Sequence, residues 1–180
     1  MGYGGKDIAR SFRTVRENTI KSAEEIPEDQ YDFRPTPDVR SVRQLLDHIA
    51  VSPSIMLYLH QNNVTRLEDV PIVDLIGPLR ENEAKPRNKA ETLAFLKSEG
   101  EKFATFVEGL SDAFLAEAVT MRPGEQPATK TRFEMLLSPK EHEMHHRGQL
   151  MTAERMLGLK PHLTRQMEER IAQMQPAAKA

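Results

Sequence analysis

Apolar residues recur at steps of three and four along almost all of this 180-residue chain, and no stretch shows a clear alternation of period two. That spacing is the mark of amphipathic α-helices. Ile8, Phe12, Val15, Thr19 and Ala23 form the first stripe. The segment "IPEDQYDFRPTPDVR" then interrupts it with three prolines and is expected to be a loop. A second helix starts at Ser41, where Gln44 completes a capping box. Its inner face carries Leu45, His48, Ser52, Ile55 and Leu59. Pro53 lies inside this helix. It removes one backbone donor, so a kink near Ile49 and a freed carbonyl are expected.

The next stretch, "NNVTRLEDVPIVDLIGPLRENEAKPR", holds three prolines and a glycine and is expected to be a long connection. Its middle is apolar for a loop, which suits a segment that covers one end of the domain or lines a cleft. Asn88 with Glu91 opens a third helix, carried inward by Leu93, Leu96, Phe103, Val107 and Leu110. Ser111 and Asp112 can start a short extra turn. "TMRPGEQPATKT" is a second break, with room for a short β-ribbon but no pattern that demands a strand. The fourth helix runs from about Phe133 to Leu157, with Gly158 as its cap and Pro161 as its stop. "TRQMEERIAQMQ" can form a short terminal helix. The expectation is an all-α, four-helix bundle with a short C-terminal helix. Residues 1–175 would form a single domain and 176–180 a flexible tail.

Composition narrows the chemistry. Cysteine is absent, so any metal must be held by His, Asp or Glu, and any reactive thiol must come from a cosubstrate. The 25 basic and 27 acidic residues nearly cancel, and aromatics make up only 6% with no Trp, which argues against nucleic acid as a partner. No apolar run approaches a membrane span. The opening "MGYGGKDIAR" has no apolar signal core, and Lys6 stands where N-myristoylation needs Ser or Thr. A soluble, cytoplasmic protein without membrane contact is the expectation.

Three of the six histidines fall within "EHEMHHRGQL", Glu141 to Leu150. His142 and His146 are four residues apart, so on a helix they lie roughly 40° apart on one face. That spacing lets two imidazoles grip one ion. Met135, Gln149, Ala153 and Met156 share the stripe, so the pair is expected to point inward. His48, among Leu45, Ile49 and Ile55, is the best candidate for a third ligand. Three imidazoles with open positions make a catalytic type of site rather than a closed structural one. The alternative is core histidines hydrogen-bonded to their neighbours. His145 sits at the edge of the stripe, beside the site or at the surface. Gln149 lies one turn from His146, where its amide could bond a ligand or a water. Glu143, about 100° from His142, suits a neighbour of the site or a solvated position. His60 and His162, at segment ends, are expected at the surface. Arg147 faces away from the histidines, toward an acid on another helix, and Gly148 offers close helix approach.

"LLDHIA" on the second helix and "HEMHHRGQL" on the fourth resemble the DinB-like (DinB/YfiT) superfamily. The resemblance runs from about Ile8 to Pro161 and includes "IPEDQYDFRPTPDVRSVRQLLDHIA". It implies an up-down-down-up bundle with a divalent zinc or nickel ion on His48, His142 and His146, and a homodimer. It also implies an activity such as thiol S-transfer with a low-molecular-weight thiol (bacillithiol or mycothiol) as cosubstrate.

His142, Glu143 and His146 also spell the H-E-x-x-H of zinc proteases. The longer form of that motif needs Gly and His where this chain has Gln149 and Thr152, so it is excluded. The shorter class would need a later carboxylate such as Glu168 or Glu169, and a strand to bind extended peptide, which the sequence does not offer. Three readings stay open, the first two being a metal-dependent transferase or hydrolase acting on a small molecule, and a non-catalytic metal-binding or dimerising bundle. A metal-free bundle is the third.

Overall fold

The computed structural model describes residues 2–174, so the tail expected at 176–180 lies outside the described residues. Four long helical segments form the body: α1 (Gly5–Glu25), α2 (Val42–Val51) continued by α3 (Ser54–Gln61), α5 (Lys89–Glu108) and α7 (Arg132–Met156). Between them come α4 (Ile72–Glu83), α6 (Asp112–Ala116) and a ribbon of β1 (Ala118–Thr120) and β2 (Thr129–Thr131). The chain closes with α8 (His162–Met174). Helix α1 packs on α5 and α7, and α2 packs on the same two. No helix among the described residues is long and apolar enough to cross a membrane.

The core has three centres. Phe12 and Phe103, both fully buried, meet edge to face at 4.8 Å between ring centroids, among Ile8, Val107 and Leu136. Such a pair adds about 0.5–1.5 kcal/mol to the apolar burial of the two rings. Leu46, Ile49, Leu96 and Leu150 form a second cluster that holds α2 against α5 and α7. Leu59, Leu67, Val119 and Met135 form a third, which seats the ribbon at one end of the bundle.

The second helix is broken rather than kinked. Pro53 has no N–H for the Ile49 carbonyl, and α2 ends at Val51 while α3 begins at Ser54. The Ile49 oxygen accepts instead from Ser52 Oγ (3.1 Å) and from Arg16 Nη2 (3.2 Å), which reaches across from α1. The capping boxes expected at Ser41–Gln44 and Asn88–Glu91 are both formed.

Two expectations are corrected. The apolar connection contains a true helix, α4, with Ile72, Leu75, Ile76 and Leu79 at helical spacing despite Gly77 and Pro78. None of its residues is buried; it lies against α2 as a cover. The second break does hold strands, with Val119 paired to Lys130. The ribbon has a consequence for α7. Thr131 ends β2 and caps α7, its Oγ accepting from the Glu134 N–H (3.1 Å) while Glu134 Oε2 accepts from the Thr131 N–H (2.7 Å). The start of the histidine helix is therefore fixed three turns before His142.

Candidate metal centre

α2 and α7 bring three histidines together. His142 Nε2 lies 3.1 Å from His146 Nε2 and 3.3 Å from His48 Nε2. His48 and His142 are half-buried and His146 is buried. Two ligand nitrogens on a tetrahedral ion, each about 2.0–2.1 Å from it, stand about 3.3 Å apart. Both spacings match what one small divalent cation needs, and ligand atoms of all three rings lie within 4.8 Å of one another.

The outer ring nitrogens decide which way the lone pairs face. His48 Nδ1 is 3.1 Å from Glu83 Oε2, and a carboxylate only accepts, so Nδ1 carries the proton. His146 Nδ1 donates to Gln149 Oε1 at 2.8 Å, and Gln149 Nε2 in turn donates to His145 Nε2 at 3.3 Å. In neutral His48 and His146, Nε2 is then a bare lone pair aimed at the cluster. His142 Nδ1 is buried with no partner among the described residues, so either tautomer of this ring leaves a nitrogen unsatisfied. Burial, reinforced by His146, His48, His145 and Arg40, pushes the His142 pKa down to about 4. Burial also lowers that of His146, against the pull of Gln149. Those two rings are kept neutral, as ligands must be.

Glu83 was not visible from the sequence as a site residue. It comes from α4, and Arg40 Nε holds its other oxygen at 3.2 Å. The helical spacing of Ile72, Leu75, Ile76 and Leu79 was the available signal, masked by Gly77 and Pro78. Beside the cluster a cleft of about 860 Å³ opens between α2, α4 and α7, with His146, Glu83 and Gln149 in its wall. Its volume suits a small molecule. The segment read as a loop thus does line a cleft.

A family model described as the DinB superfamily matches residues 11–150. The chain belongs to the DinB superfamily. Among solved structures, a DinB-like protein of Bacillus subtilis is 22% identical, with 84% of this chain and 92% of that one covered and a TM-score of 0.60. YfiT of Bacillus subtilis, described as a probable metal-dependent hydrolase with an unusual four-helix bundle topology, is 16% identical, with 87% and 89% covered and a TM-score of 0.65. A DinB-like protein of Bacillus cereus is 14% identical, with 86% and 93% covered and a TM-score of 0.65. At these identities the likeness is one of fold. No match was found among curated proteins.

Other residues of this DinB chain fall differently from expectation. Glu143 makes no hydrogen bond to the histidines and is not solvated: it is fully buried, on Arg16 Nε at 3.0 Å to both oxygens. A glutamate so engaged is no base for a protease reaction. His145 is exposed; it sets its ring edge-on to His146 at 4.9 Å between centroids and accepts from Gln149. His60 and His162 are buried, not at the surface. His60 Nδ1 donates to the Met56 carbonyl at 2.7 Å, and His162 lies 3.3 Å from Ser22 Oγ and 3.2 Å from Asn18 Oδ1. Arg147 finds a carbonyl, Val15 O at 3.3 Å, rather than a carboxylate. Met156 is largely exposed, off the inner stripe. Gly148 faces open space; the close approaches are at Gly5, where a Cβ would fall against the Val107 carbonyl, and at Gly100, where it would meet Arg16 Nη1 at 2.8 Å.

Proposed function

We propose that this protein is a metal-dependent enzyme acting on a small molecule, with a divalent zinc or nickel ion held by His48, His142 and His146. The observation that carries the reading is the convergence of three histidines, with His142 Nε2 at ion-binding distance from the Nε2 atoms of His48 and His146, which Glu83 and Gln149 fix as lone pairs. When bound, such an ion supplies a Lewis acid and a nucleophile at neutral pH, from water or from a cosubstrate thiol. Glu83 orients the His48 ring and keeps its proton on Nδ1. Gln149 does the same for His146. The cleft brings substrate to the His146 side of the cluster, and α4 walls it from bulk water.

Hydrolysis is favoured over thiol transfer by the description of YfiT as a probable metal-dependent hydrolase. The up-down-down-up order belongs to the same reading. Contacts of Arg13 with Glu101 and Glu108 and of Lys97 with Glu24 support α1 antiparallel to α5. Lys140 on Ser11 and Arg147 on Val15 support α1 parallel to α7.

The test is metal content followed by turnover. Purified tag-free protein is expected to take up zinc or nickel, and the loaded form to hydrolyse members of an ester, amide and lactone panel in a chelator-sensitive way. Turnover only in the presence of an added low-molecular-weight thiol would shift the assignment to S-transfer. A loaded protein inert toward both panels would mark a non-catalytic binding bundle.

A further inference from the structure

We propose that the cleft selects an anionic small molecule, with Arg80 of α4 as the residue that reads its carboxylate or phosphate group. This rests on the reading of the cleft as a substrate site. Three arginines line it, Arg34, Arg40 and Arg80, against two carboxylates, Asp38 and Glu83. Those carboxylates are already engaged. Glu83 receives Arg40 Nε and His48 Nδ1, and Asp38 accepts from Thr36 Oγ1 at 2.6 Å. Arg34 donates to the Val39 carbonyl at 2.9 Å. The Arg80 guanidinium, on an exposed residue, has neither an ion-pair nor a hydrogen-bond partner among the described residues, and it stands one turn before Glu83 on the same helix.

A guanidinium in a cleft wall, with its donor fork unused, matches a carboxylate or a phosphate in shape and charge. The remaining wall includes Val39, Leu45 and Ala153, so the preferred ligand has an apolar body and one anionic end. Because Arg80 is exposed, this reader can be altered without touching the core, which α4 meets through Leu75.

The experiment is calorimetric titration of phenylacetate, phenyl phosphate and neutral phenylacetamide into metal-free and zinc-loaded protein. Wild type is compared with Arg80→Ala and Arg80→Lys, with folding checked by circular dichroism and zinc content measured for each. At least one anion is expected to bind about tenfold more tightly than the amide in both metal states. The stronger of the two identifies the carboxylate or the phosphate as the group read. Arg80→Ala should remove that preference at unchanged zinc content, and Arg80→Lys should keep part of it. Equal binding of anions and amide, no binding of any probe, or a preference undiminished in Arg80→Ala would overturn the proposal. A preference present without metal but a protein that takes up no zinc would sink the metal reading and leave Arg80 standing.

Discussion

Two neighbouring polar groups on α7 have opposite hydrogen-bonding states. Glu143 faces the bundle interior and meets Arg16. That guanidinium also gives Nη1 to the Leu96 carbonyl (2.6 Å) and Nη2 to Ile49, so every nitrogen has an acceptor. One residue earlier, His142 turns Nε2 toward the lone pairs of His48 and His146 and leaves Nδ1 with no partner. The first arrangement is complete and ties α1, α2, α5 and α7 together. The second leaves one ring nitrogen unsatisfied and gathers three Nε2 atoms where a cation can bind. A buried polar group with all its partners is part of the scaffold; three ring nitrogens converging from two helices offer a site to a ligand.

The largest effect should come from breaking the complete group. Glu143→Ala or Arg16→Ala leaves a buried charge alone and should cost about 3–5 kcal/mol in urea unfolding. The sharpest contrast is His142→Ala. It should abolish zinc and nickel binding while moving the stability of the metal-free protein by less than about 1 kcal/mol, since it removes an unsatisfied nitrogen. If Glu143→Ala proves harmless, or His142→Ala unfolds the metal-free chain, the contrast between the two groups is wrong.

Glu83→Gln should be milder. It keeps the shape but weakens the grip on His48, and metal affinity should fall about 10–100-fold in a competition titration. Unchanged affinity would mean that Glu83 only anchors α4 through Arg40.

The pattern of histidines was legible because helical periodicity alone puts His142 and His146 on one face and His48 on an apolar one. The bundle was legible for the same reason. Glu83 was not, because a proline and a glycine hid the helix that carries it. Arg16 was missed too, although it sits four residues after Phe12 on the buried stripe. Its partners are 33, 80 and 127 residues away, and only the packed structure brings them together. Local spacing reports a face; it does not report what the face meets.

pH separates the polar groups further. The His142 pKa is depressed from 6.5 to about 4, so the unfolded chain takes the proton first. Its contribution to the metal-free fold is complete above about pH 6.5 and is lost as pH falls toward 4. Bound metal should be released by acid in the same direction. Glu154 behaves oppositely. Burial, with Glu25 nearby, raises its pKa from 4.5 to about 7, over the weaker pulls of Ser22, Arg155 and Arg165. The folded chain there holds a proton that the unfolded chain has lost, so stability declines as pH rises from about 4.5 to 7. Glu154→Gln should therefore stabilise the protein at pH 8 by about 1–2 kcal/mol and have no effect below about pH 4.5, as read from urea midpoints across pH.

The most direct test of the central claim is elemental analysis by mass spectrometry after zinc or nickel loading and desalting, on wild type, His142→Ala and Glu143→Gln. Wild type and whatever folds of Glu143→Gln should hold about one ion per chain, and His142→Ala none. A folded wild type that retains no ion, or a His142→Ala variant that retains as much as wild type, would contradict that claim.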